Sequence, residues 1–168
     1  MQYSFRCILD VDTDVIRDIS IDANSSLQDF HKSVVDAFGF TTQEMAAFYR
    51  TDDEWDQGEE IPLISMSATD SKSEMKDYKL SEIFSDIHER LLYVYDFLSM
   101  WTFFIELHEI DINKTPQKPV IGYRSGDLPN EAPEKQFTSE KILDDFEKEL
   151  GDEFGDEFDI DDVDNEYF

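Results

Sequence analysis

The residues of this 168-residue chain whose types could do chemistry are few and scattered. His31 lies four residues after Leu27 and three before Val34, which at helical spacing puts it on or beside an apolar stripe. An imidazole there is packed and hydrogen-bonded, or it serves as a ligand. His88 and His108 stand alone, and no His-x-x-x-His or Cys-x-x-Cys spacing marks a zinc site. Asp96 falls between Tyr95 and Phe97 in "LLYVYDF", a run that reads as a buried strand. A buried carboxylate needs donors or a positive neighbour, so Asp96 either organises the turn before Trp101 or lines a pocket. Asp96, Trp101, His31 and Tyr95 are therefore the candidate pocket residues. "DIDDVDNEYF" lacks the glycine and the final glutamate of an EF-hand loop. No glycine-rich phosphate loop, nucleophile elbow or triad is present. No catalytic residue, metal ligand or cofactor is expected.

These side chains need elements to hold them. In "YSFRCILDV", Tyr3, Phe5, Cys7, Leu9 and Val11 alternate with Ser4, Arg6 and Asp10, the pattern of a strand with one buried face. "DTD" turns the chain and "VIRDISID" returns as a second strand, making an opening hairpin. "NSSLQDFHKSVVDAFGF" predicts a helix over about 26–38, with Leu27, Phe30, Val34, Ala37 and Phe38 on one stripe. Ser25 and Gln28 have capping-box spacing, and Gly39 supplies the stop. "MAAFYRT" and "EEIPLISM" read as strands around the acidic loop "DDEWDQGEE", and "KLSEIF" as a short helix. "LLYVYDF" is apolar on both faces and predicts a central strand. "LSM" turns it into "WTFFIELHEI", with Phe103, Ile105 and Leu107 on one face. A short strand, "VIGY", follows. The expected fold is α+β: a mixed, mostly antiparallel sheet with a long helix on one face in β-β-α-β-β order, then a second hairpin and a C-terminal helix. The expected divisions are a domain over 1–125, a proline-rich connector over 126–137, a helix over 138–150 and an acidic tail over 151–168.

The chain carries 41 Asp and Glu against 14 Lys and Arg, a net charge of -27. A phosphate backbone would meet repulsion over most of the surface, so direct nucleic-acid binding is disfavoured, and the acidic field instead favours a basic protein, cations or simple solubility. Aromatic residues make up 14% of the chain, which argues for a true core despite the charge. Cys7 is the sole cysteine, so no internal disulfide forms. Acids interrupt the first residues where a signal peptide needs an apolar run, and no stretch matches a membrane span. A soluble cytoplasmic protein is expected, of unknown oligomeric state. The tail reads as solvated; alternatively, Phe154, Phe158, Ile160 and Val163 dock on a partner or neighbouring subunit.

Three blocks resemble the plasmid pRiA4b ORF-3-like family. "SLQDFHKSVVDAFGF" is similar to its Leu-x-x-Leu-His helix ending in Phe-Gly-Trp, "YVYDFLSMW" to its Tyr-x-Tyr-Asp-Phe-Gly-Asp-x-Trp block, and "KLSEIF" precedes the latter in order. The resemblance implies an α+β domain. Some members are passengers of insertion elements or bear resolvase-like names. The chain departs from the pattern at Leu98 and Ser99, where the family often has Gly-Asp, and at Phe103, Glu44 and Ala46, where it often has histidine. The family's Cys-Pro-Pro-Glu-Asp-x-Gly-Gly segment also has no close counterpart. His31 and Asp96 remain. A serine recombinase needs arginines clustered about its nucleophile, and Arg6, Arg17, Arg50, Arg90 and Arg124 are scattered. The leading expectation is a non-enzymatic acidic interaction module. A mobile-element accessory or resolvase-like factor and an acidic DNA mimic stand as alternatives.

Overall fold

In the computed structural model of the chain, residues 1–66 and 74–133 are described. Their alternating stretches become β1 (Gln2–Leu9), β2 (Ile16–Asp22), β3 (Ala46–Thr51), β4 (Gln57–Pro62), β5 (Arg90–Tyr95), β6 (Trp101–Asp111) and β7 (Val120–Ser125). They form one seven-stranded sheet in the order β4-β3-β5-β6-β1-β2-β7, with antiparallel neighbours throughout. Among the described residues β4 and β7 are the open edges. Period-two patterning decides the inner face: Tyr3, Phe5, Cys7 and Leu9 of β1 point into the core with Phe103, Ile105 and Leu107 of β6. On the opposite face of β1 and β2, the Arg6 guanidinium makes two 2.9 Å bonds to Asp18.

Helix α1 (Leu27–Phe38) lays Leu27, Phe30, Val34, Ala37 and Phe38 on that core. Phe30 meets Phe5 with ring centroids 4.5 Å apart, and Phe38 meets Phe103 at 4.6 Å. Such pairs add about 0.5–1.5 kcal/mol each beyond area burial. The cap differs from expectation by one residue. Ser26, not Ser25, accepts from the Asp29 backbone N–H, and the Asp29 carboxylate accepts from the Ser26 N–H, each at 3.1 Å. Ser25 is already committed, its N–H to the Asp22 carbonyl and its carbonyl to the Leu80 N–H. Gly39 ends the helix at φ 80. A second short helix, α2 (Leu80–Ile83), precedes β5.

One polar placement departs from the sequence reading and a second was not anticipated by it. β5 stops at Tyr95, so Asp96 is a half-buried turn residue at φ 59 rather than a buried strand carboxylate. Its Oδ1 accepts from the Leu98 N–H at 3.1 Å and its carbonyl from the Met100 N–H at 2.6 Å. Aspartate tolerates the left-handed region and closes such turns with its own side chain, which is why alternation fails there. Arg17 lies on the inner face of β2 at 2% exposure. Its guanidinium donates to the carbonyls of Ala37 (3.0 Å), Ile16 (2.8 Å) and Ser125 (2.9 Å), and stacks over Phe38. It thus ties α1, β2 and β7 together.

Met1–Pro133 form one compact unit, with Leu128 and Ala132 packed against the core. The expected helix over 138–150 and the tail with Phe154, Phe158, Ile160 and Val163 lie outside the described residues. Among the described residues no helix is long and apolar enough to cross a membrane.

Candidate functional site

A groove of about 480 Å³ runs beside α1, and the helical period builds one wall from Gln28, His31, Lys32 and Val35. The left-handed stop at Gly39 folds the chain back, and Phe40 then packs on Tyr95 at 4.3 Å and Trp101 at 5.6 Å. The return segment brings Thr42, Gln43 and Glu44 to the opposite wall, and Leu63, just past β4, closes one side. The Tyr95 hydroxyl donates to the Thr42 carbonyl, fastening this segment to the end of β5.

His31 is 8% exposed, and its Nδ1 lies 2.6 Å from the hydroxyl of fully buried Tyr93. The phenol has no other partner among the described residues, so its proton must go to Nδ1. This assigns the neutral imidazole with its proton on Nε2. Every buried side-chain nitrogen and oxygen among the described residues is satisfied, and His31 bonds only through Nδ1. Nε2–H is therefore accessible at the surface, a neutral donor on a residue that lines the groove. Burial, reinforced by Lys32, pushes the His31 pKa down to about 4. Burial raises the Tyr93 phenol well above its ordinary value. Both groups are uncharged at neutral pH.

Of the four candidate pocket residues, His31 and Tyr95 share this groove. Trp101 is Tyr95's cross-strand partner on β6, 7% exposed and behind Phe40. Asp96 belongs to the adjoining turn and does not line the groove. Tyr93, the residue that sets the tautomer, was not singled out from the sequence. Its signal was present in the alternation Leu91, Tyr93, Tyr95, which aims a second hydroxyl at the helix. Among the positions that depart from the family pattern, Glu44 lines the groove, Ala46 and Phe103 are core, and Leu98 is 97% exposed.

The rest of the chemistry is spread thinly. Cys7 is buried, and burial pushes its thiol pKa up, the opposite of an activated nucleophile. Near β4, a second cavity of about 450 Å³ is lined by Arg50, Asp52, Asp53, Asp86, His88 and Arg90 among others. Arg90 braces it, donating to the Asp53 carbonyl (2.6 Å) and to Glu106 (3.0 Å) and lying over Trp55 at 4.7 Å. Burial works against the Glu106 carboxylate, yet hydrogen bonds from Arg90 and His88 hold its pKa below the usual value. Among the described residues no three His, Cys, Asp or Glu side chains are placed to hold a metal ion.

Residues 3–166 match the model of the family described as plasmid pRiA4b ORF-3-like protein. The crystal structure of a protein of unknown function, MM3350 from Methanosarcina mazei Go1, superposes with a TM-score of 0.59 at 18% identity. The match covers 91% of each chain. That likeness is one of fold. No curated protein matches the chain.

Proposed function

This chain belongs to the plasmid pRiA4b ORF-3-like family, and from that premise we propose that it is a non-catalytic, cytoplasmic, acidic binding module whose partner is a basic protein. The observation that carries this reading is the open edge at β4. Gln57, Gly58, Glu59 and Glu60 are all exposed, and among the described residues β4 pairs on one side only, with β3. Unpaired strand N–H and C=O groups are a ready template for a strand from another chain. The acids of the preceding loop, Asp52, Asp53, Glu54 and Asp56, and Glu59 and Glu60 of the strand select a basic segment for it. Glu59 faces Arg50 at 3.3 Å, but both are exposed, so that pair is weak and exchangeable.

The net charge of -27 adds long-range steering that salt screens. The acidic 151–168 segment, with Phe154, Phe158, Ile160 and Val163, would add a second contact. The pinned neutral His31 and buried Cys7 support a role without catalysis.

The test measures binding of a short alternating Lys-Val peptide to the full chain, to Glu59→Gln/Glu60→Gln, and to Asp10→Asn/Asp12→Asn as a charge-matched control. The expected result is salt-sensitive binding that weakens several-fold more in the β4 variant than in the control. Equal weakening in both would mean diffuse charge attraction and defeat the edge reading.

A further inference from the structure

We propose that the groove beside α1 binds a short peptide segment, taking one backbone carbonyl on His31 Nε2–H, an Arg or Lys side chain on Glu44, and an apolar side chain against Tyr95, Val35 and Leu63. The inference rests on the reading of a basic protein partner, but it assigns a different surface and a different recognition chemistry. His31 carries it. A ring more than nine-tenths buried, held by Tyr93 at 2.6 Å and lining the groove, has an Nε2–H with no partner among the described residues, and such a donor selects an acceptor atom.

The remaining lining decides the class of ligand. Val35, Leu63 and Tyr95 supply apolar surface, and Gln28 and Gln43 supply amides able to pair with a peptide backbone. Glu44, half-buried on the wall across from α1, supplies a negative charge. Lys32 and Asp36 stand one turn apart on the exposed side of the helix and offset one another. An anionic ligand would meet Glu44, whereas a basic side chain is matched to it. The volume of about 480 Å³ suits a few residues.

The experiment records NMR spectra of the full chain with acetyl-Leu-Arg-Leu-amide and with acetyl-Leu-Glu-Leu-amide. The Arg peptide is expected to shift the His31 Cε1–H, the Tyr95 ring and the Val35 and Leu63 methyls, and the Glu peptide to leave them in place. Glu44→Gln should weaken the Arg peptide about fivefold and Lys32→Gln should tighten it. Equal shifts with both peptides, or none with either, overturn the proposal. The outcome is separable from that at β4: groove shifts that persist when the β4 variant and its control behave alike retire the edge reading alone. Silence in the groove with selective loss at β4 does the reverse.

Discussion

His31 binds no proton in the folded chain until about pH 4, whereas an unfolded histidine does so near 6.5. Below pH 6.5 the unfolded state therefore holds a proton that the folded state refuses. The histidine's contribution is intact above 6.5 and is lost as pH falls toward 4, up to ~3 kcal/mol when both states are protonated. Urea unfolding at pH 7 and pH 4.5 should show His31→Gln losing less stability on acidification than the parent chain. An equal or steeper loss would contradict the burial described. Arg17→Met removes the guanidinium bonds to three carbonyls from a buried site and should cost ~3 kcal/mol. Arg17→Lys should restore little of it, because an ammonium cannot span the fork; full rescue by lysine would show that charge alone matters. Residue by residue, identities were readable and partners were not. His31 beside the apolar stripe followed from spacing. The Tyr93 hydroxyl beneath it required knowing which strand lies under the helix. The turn role of Asp96 was one of its two readings, but its place past the end of β5 was missed, because a turn that begins with a left-handed aspartate looks, in one dimension, like one more step of alternation.

Among the elements, strands with one polar and one apolar face were legible because burial on a single face leaves period-two patterning. β1 and β6 show it plainly. Ends were less legible: the cap moved from Ser25 to Ser26 because Leu80, far along the chain, engages the Ser25 carbonyl. Three glycines separate backbone freedom from space. Gly39 has φ 80 and open space where a Cβ would stand, so Gly39→Ala should cost ~1 kcal/mol of conformational strain. At Gly126, φ is 73 and a Cβ would sit 2.1 Å from the Asp14 carbonyl oxygen, so Gly126→Ala should lower Tm far more. Thermal melts giving the reverse order would contradict the two environments. At Gly58 a Cβ would come within 2.8 Å of the Arg50 carbonyl oxygen, beside the register shift between Tyr49 and Thr51. Gly58→Ala should therefore distort the β4 edge and weaken Lys-Val peptide binding without altering charge. Unchanged affinity would argue against pairing along β4.

For the molecule as a whole, the net charge of -27 was visible in composition, but the place where it meets an open strand edge was not. Strand order is set by long-range pairing, and β4 is an edge because among the described residues β3 is the only strand it pairs with. Amide hydrogen exchange across Gln57–Pro62, with and without the Lys-Val peptide, tests strand addition most directly. The β4 amides not bonded to β3 should become protected when the peptide binds, and high salt should abolish that protection. A peptide that binds while those amides exchange as before would place the partner elsewhere and contradict the proposed edge.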